Sequence, residues 1–310
     1  MLGRIVSINI SSNKGEKKSP VDSAVLVAGY GVEGDAHSGG ERQVSLLAQE
    51  AIDKGIASGV ELKPGDFGEN LTIEGIDLHS IEIGCRLLVG KEAILQISEI
   101  GKVCNSPCSI GQQLGDCIMP REGVFAKVVH GGPIQPGDAV ELTTLKAGAV
   151  LTSSDRCSRG EREDESGRLL ARLLSYNGIV ITDHSILPDE EDQLSEKMKF
   201  LADRCAVDII LTTGGTGLDA RDRMPEATVA ILDSQVPGIS EAIRQEGMVH
   251  TPFACLSRAV SGLRGRTLII NLPGSKRAVE ESSTLLRKII PHALEIIRAE
   301  TSDCGTMPND

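Results

Sequence analysis

The sequence predicts two domains of different class: a mostly-β, barrel-like first half and an α/β second half on a mainly parallel sheet, in three layers. Three observations carry this. A chain of 310 residues favours two domains. The first half is a series of short alternating runs punctuated by glycine. The second half alternates short apolar runs with longer segments of helical period.

In the first half GRIVSINI (3–10), DSAVLVAG (22–29), RQVSLLA (42–48), ENLTIEG (69–75), CRLLVG (85–90) and AILQISEI (93–100) read as strands. A PGD turn and a further strand, IQPGDAVEL (134–142), close the series, and one helix is expected over 48–58, weakened by Gly55. That is the pattern of a barrel or curled sheet. The character changes at LTTLKAG (142–148), which places the domains at 1–145 and 147–310. AVLTSS (149–154), IVITDHSIL (179–187), VDIIL (207–211) and RTLIINL (266–272) read as strands. Helices are expected at 163–178, 190–205, 225–233, 238–248 and 276–299. Strands alternating with helices imply a parallel sheet covered on both faces.

Composition excludes some functions. The net charge is −12 and aromatics are 2% with no Trp, so neither a basic nucleic-acid footprint nor a base-stacking platform is present. The first ten residues, MLGRIVSINI, carry too short an apolar run for a signal peptide, and no run reaches membrane-span length. The expectation is a cytoplasmic protein whose eight cysteines are thiols.

In an open α/β sheet, ligands bind at the carboxyl ends of the strands. The loops there read SSDRCSRG (153–160), LPDEED (187–192), TTGGTGLDARD (212–222) and NLPGS (271–275). The TGGTG loop has neither the lysine of a P-loop nor the spacing of a dinucleotide fingerprint. Its plainer reading is a tight packing turn. Asp189 and Asp222 would then be helix caps. The sharper reading takes all three together: glycine backbone holds phosphate, and the two carboxylates hold the Mg²⁺ that neutralises it.

Residues 104–132 of the first half contain Cys104, Cys108 and Cys117. Buried thiols are the plainer reading. Zinc would need His130 as a distant fourth ligand, and the spacing is irregular for it. A reactive thiol would need nearby positive charge, for which Lys102 and Arg121 are candidates.

TTGGTGLDARDRMPEAT (212–228), the SDR and DESG segments (154–167), ILPDE (186–190), LSRAVSG (256–262) and LIINLPGS (268–275) together resemble the molybdopterin adenylyltransferase family of MoaB/Mog type, over about 147–300. The resemblance implies transfer of AMP from Mg-ATP to molybdopterin, with release of pyrophosphate, before metal insertion. It implies that Asp189 and Asp222 are the functional acids and Mg²⁺ ligands. Thr213, Gly214, Gly215, Thr216 and Gly217 would be the phosphate cradle. Ser154, Asp155, Ser257, Arg258, Asn271, Pro273, Gly274 and Ser275 would be cofactor contacts, with Arg258 pairing bidentately with phosphate. Lys276 stands where the family often has Pro. A homotrimer is implied by the same likeness.

GVEGDAHSGGERQVSLL (31–47), PGDFGENLTIEGIDL (64–78), SPC (106–108), REGVFAKVVHGG (121–132) and PGDAVEL (136–142) resemble the MOSC domain of molybdenum cofactor sulfurases. The resemblance implies a cofactor-handling module in which a cysteine carries sulfur or binds molybdenum. Cys108 matches best, with Cys104 and Cys117 behind it, and His37 is a further contact. The combined expectation is a bifunctional protein of molybdenum cofactor biosynthesis. Its partners would be molybdopterin synthase, a molybdenum insertase or acceptor molybdoenzymes. Two alternatives stay open: a molybdenum-dependent reductase centred on the MOSC half, and a binding or storage protein without turnover. Tungsten in place of molybdenum is open too.

Overall fold

Short alternating runs form strands because one side of each pleat can be buried while the other meets a neighbouring layer. The computed structural model describes residues 2–56, 62–101 and 118–298. It divides into two compact units, Met1–Thr144 with Arg204–Ala206, and Leu145–Asp203 with Val207–Asp310.

In the first unit β1 (Leu2–Ile10) carries β2 (Ser19–Val21) along one end. β3 (Ala24–Val27) and β4 (Gly31–Val32) belong to a small separate sheet. The main ring continues with β5 (Val44–Ala48), β6 (Leu71–Glu74), β7 (Arg86–Val89), β8 (Ala93–Ile100) and β9 (Val124–His130). β10 (Gly132–Ile134) joins the small sheet, and β11 (Ala139–Thr143) completes the ring. The order β11-β7-β8-β9-β5-β6-β1 closes because β1 also pairs β11, with Gly3 opposite Val140. Seven strands thus form a closed barrel in which each is paired on both sides. All its neighbours are antiparallel except β5 with β6. The interior is aliphatic: Ile5, Ile8, Leu46, Leu71, Leu87, Leu95 and Val128 are buried. The strand β9 was not among the runs read from sequence. Its pattern VFAKVVH does not alternate, because both its sides are covered over most of its length.

In the second unit β12 (Lys146–Ser153), β13 (Ile179–Leu187), β14 (Ile209–Thr213), β15 (Ser234–Gln235), β16 (Ser261–Arg264) and β17 (Thr267–Leu272) form one sheet, ordered β13-β12-β14-β17-β16-β15. The first four are parallel; β16 and β15 add an antiparallel edge. One face, with Val150, Leu211 and Ile270, packs against Leu170, Leu174, Ile243, Val279 and Leu286. Those come from the helices Glu165–Tyr176, Pro237–His250 and Lys276–Ile297. Residues of opposite parity face the other way. On that side Asn271 bonds Thr228 of the helix Met224–Val229, whose Thr228 in turn reaches Met198 of the helix Glu191–Lys199.

The register levels the strand ends. Ser153 lies opposite Leu187, Thr152 opposite Thr213, and Thr213 opposite Leu272. Four loops therefore leave the sheet along one line.

Candidate active site

The glycine loop is shaped by that line of strand ends. Gly214 has φ +89°, and a Cβ there would lie 2.2 Å from the Ser153 carbonyl oxygen. Only glycine lets the chain pass over the end of β12 in this conformation. Gly215, at φ +62°, sits under Asp189, and a Cβ on Gly217 would lie 2.7 Å from Asp222 Oδ2. Gly274 abuts the backbone of Gly214. Thr213 Oγ1 donates to the Pro273 carbonyl at 2.7 Å, tying the two loops together. Thr216 is buried, and its carbonyl accepts the Arg258 N–H at 2.8 Å.

The acids are organised in two groups. Asp189 accepts a short hydrogen bond from Ser153 Oγ and the Asp155 N–H at 3.0 Å, while its own N–H donates to Asp155 Oδ1 at 3.1 Å. Arg221 forks onto both Asp155 oxygens at 3.0 Å and reaches Glu190 at 2.9 Å. The Asp189 N–H and then the Arg221 guanidinium hold the Asp155 carboxyl below the usual carboxylate range. Asp222 forms the second group: its Oδ2 accepts the Asp219 N–H at 2.9 Å, and its Oδ1 has no partner among the described residues.

Several other expected residues meet at the same edge. Ser154 caps the short helix Asp155–Ser158, and Ser275 caps Lys276–Ile297 by accepting the Ala278 N–H. Ser257 is half-buried beside the glycine loop. Each nitrogen of Arg258 makes a bond within the protein, and its side chain is 35% exposed. Nε donates to Gly217 O at 2.7 Å, Nη2 to Asp222 O at 2.6 Å, and Nη1 pairs with Glu226. Its place is to hold the glycine loop and Asp222 together. Asn271 lies below the edge, fully buried, bonding Thr212 and Thr228 at 2.9 Å each. Cys104, Cys108, Cys117 and Lys102 lie outside the described residues.

Sequence reasoning missed three features. Arg221 had no signal of its own. Arg258's partner Glu226 sits 32 residues away. Asp164 was legible as a cap, since it precedes Ser-Gly at a helix start. It accepts the Gly167 N–H at 2.8 Å, Thr152 Oγ1 at 2.7 Å and His184 Nε2 at 3.0 Å. Burial pushes the Asp164 carboxyl up, but the bonds from His184, Thr152 and Gly167 outweigh it and hold it low.

Among the described residues, two of the clefts along the edge flank the glycine loop. One, about 280 Å³, lies among Ser154, Asp164, Thr213 and Gly214. The other, about 440 Å³, lies between Gly215–Gly217, the helix Pro237–His250 and Ser275, and its walls are mainly apolar.

Residues 149–292 match the family described as "Probable molybdopterin binding domain", and residues 33–141 match the MOSC domain. The chain is 35% identical over 159 residues to the molybdopterin adenylyltransferase of Helicobacter pylori strain J99, covering 50% of this chain and 89% of that protein. The chain belongs to the molybdopterin adenylyltransferase family. It also carries an N-terminal MOSC domain. A second relative is the molybdenum cofactor synthesis protein cinnamon of Drosophila melanogaster, 40% identical over 49% of this chain and 26% of its own length, so the chain spans about a quarter of that protein. Among solved structures, the molybdopterin biosynthesis enzyme MoaB of Thermus thermophilus is 42% identical, covering 50% of this chain and 98% of its own, with a TM-score of 0.48. Among the described residues no helix is long and apolar enough to cross a membrane.

Proposed function

We propose that the second unit transfers AMP from ATP to molybdopterin in molybdenum cofactor biosynthesis, and that the MOSC unit binds, carries or modifies the cofactor through Cys108. The observation that supports the first part is the glycine loop with its carboxylates: Gly215 and Gly217 leave bare backbone beside Asp189 and Asp222. Backbone there can approach a phosphate without a side chain between them.

The reaction forms one bond and breaks one. An oxygen of molybdopterin's terminal phosphate attacks the α-phosphorus of ATP. The α–β anhydride bond breaks, its electron pair stays on the β-phosphate oxygen, and pyrophosphate leaves. No nucleophile from the protein is required, so catalysis is positioning and charge neutralisation. Among the described residues no group of three or more His, Cys, Asp or Glu could hold a metal alone. Asp189 and Asp222 instead fit an ion that arrives with the nucleotide and keeps phosphate and water in its shell. Mg²⁺ would there offset the triphosphate charge. Arg258 and Glu226 keep Asp222 against the glycine loop, and Ser153 with Asp155 orients Asp189. The family likeness supports assembly as a homotrimer, which sedimentation would test.

The decisive experiment is pyrophosphate release from Mg-ATP, with and without molybdopterin, in wild type and Asp222→Asn. Asn retains an acceptor for the Asp219 N–H and removes the charge. The expected result is molybdopterin-dependent release that falls at least about 10²-fold in the variant. Molybdopterin binding with no release in wild type would turn the reading to a binding protein and move the chemistry to Cys108.

A further inference from the structure

The larger cleft poses a charge problem. Among the described residues that line it, the only cation is Arg244, and the carboxylates are Asp222 and Glu281. Glu281 is already matched: Arg277 Nε donates to it at 2.7 Å, and His250 lies 3.9 Å away. Arg258, the arginine that the sequence singled out, has Nε, Nη1 and Nη2 all bound to protein. Three of its five N–H groups are thereby taken.

Arg244 stands differently. It projects from the helix Pro237–His250 and is half-buried. Its Nη1 donates to the carbonyls of Ala259 at 2.8 Å and Ser257 at 3.4 Å. Its Nε and Nη2 bond no described residue, and neither is sealed from solvent. A guanidinium anchored by one nitrogen and open at the others is a pre-organised donor, because much of its rotamer freedom is already lost. The same cleft carries apolar wall from Ile243, Ala254 and Leu256, and Phe253 is 74% exposed. Apolar wall suits the face of a flat heterocycle; an open guanidinium suits phosphate.

We propose that Arg244 receives a phosphate group of a heterocyclic substrate bound in this cleft. The inference rests on the adenylyl-transfer reading, in which ATP and molybdopterin both have that chemistry. The experiment separates them. Adenylyl transfer is measured with each substrate varied in turn, for wild type, Arg244→Gln and Arg244→Lys, alongside equilibrium binding of each substrate and thermal unfolding. Gln keeps an amide donor for the Ser257 and Ala259 carbonyls and removes the charge.

The expected result is a KM raised about 10- to 100-fold for one substrate in Arg244→Gln, the size of a lost charge-assisted bond. The turnover number stays within about threefold, since uniform binding is what is lost. The unfolding temperature is unchanged, and Arg244→Lys recovers part of the affinity. The substrate affected is the one that occupies the cleft. Unchanged KM for both substrates overturns the proposal. So does an equal loss for both with a lowered unfolding temperature, which marks a structural arginine. Should wild type bind both substrates without turnover, the adenylyl-transfer reading fails by itself, and the binding arm decides Arg244. Weaker binding of one ligand in Arg244→Gln upholds it; unchanged binding of both overturns it.

Discussion

The two halves of the chain treat charge in opposite ways. In the barrel unit the Lys18 and Asp35 side chains are 1% and 0% exposed, and the pair is closed on itself. Lys18 Nζ reaches both Asp35 oxygens at 2.7 Å, and the Ser11 and His37 N–H groups complete the carboxylate. Burial pulls Asp35 up, but the bonds from His37 and Lys18 outweigh it and hold it well below the usual carboxylate range. In the α/β unit Asp189 and Asp222 stay at the strand ends, part exposed, and Asp222 Oδ1 has no partner among the described residues. Both clusters gather charged residues that are distant in sequence. What separates structure from site is whether lone pairs remain that something outside the chain can reach.

That comparison breaks hardest at Lys18. Lys18→Met leaves Asp35 buried and unpaired, which should cost about 3–5 kcal/mol. Urea unfolding of the full chain, followed by a probe in the first unit, measures it. A loss under about 1 kcal/mol would mean the pair behaves like an exposed one and the contrast is wrong. Gly214→Ala comes next. It forces a side chain into a left-handed conformation at about 1–3 kcal/mol and sets its Cβ on the Ser153 carbonyl. Pyrophosphate release should collapse with it while the barrel's unfolding is untouched. A fully active Ala variant would show that the loop does not have this shape.

The smallest effect is at Glu69. Its Oε1 accepts the Gly65 N–H at 2.5 Å and Thr72 Oγ1 at 2.9 Å, while Oε2 is buried without a partner among the described residues. Burial raises its pKa above the usual value, against the bonds from Gly65 and Thr72. The fold therefore favours the protonated acid. That contribution is fully present below the unfolded pKa of about 4.3 and is lost as pH rises through the raised folded value. Glu69→Gln should remove this slope and be neutral or stabilising by less than about 1 kcal/mol at neutral pH. The wild-type minus variant difference, followed from pH 4 upward, checks it. A flat difference would mean that Glu69 titrates as an ordinary acid.

Much of the α/β unit was legible because its signals are local. The apolar run 179–187 coincides with β13, and the helical spacing of Leu169, Leu170, Leu173 and Leu174 falls within Glu165–Tyr176. The two-residue β15 and the four-residue β16 were not legible, being too short to show a period. At the site, the glycine loop and both aspartates could be read from spacing. The commitment of Arg258 could not, since its acceptors Gly217 and Asp222 lie 41 and 36 residues away. The open donors of Arg244 were invisible for the same reason.

By itself the sequence determined the class of each half, the loops that end the parallel strands and the family likeness of both halves. Periodicity, turn residues and short motifs are properties of neighbouring residues, and neighbours are what a sequence states. Only the tertiary structure decided how each arginine is bound, that Asn271 ties Thr212 to Thr228 below the edge, and that Asp155 and Asp189 clasp one another. Those outcomes depend on which backbone carbonyls and N–H groups arrive beside a side chain from distant segments. Each N–H donates essentially once, so a donor bonded inside the fold is not offered to a ligand.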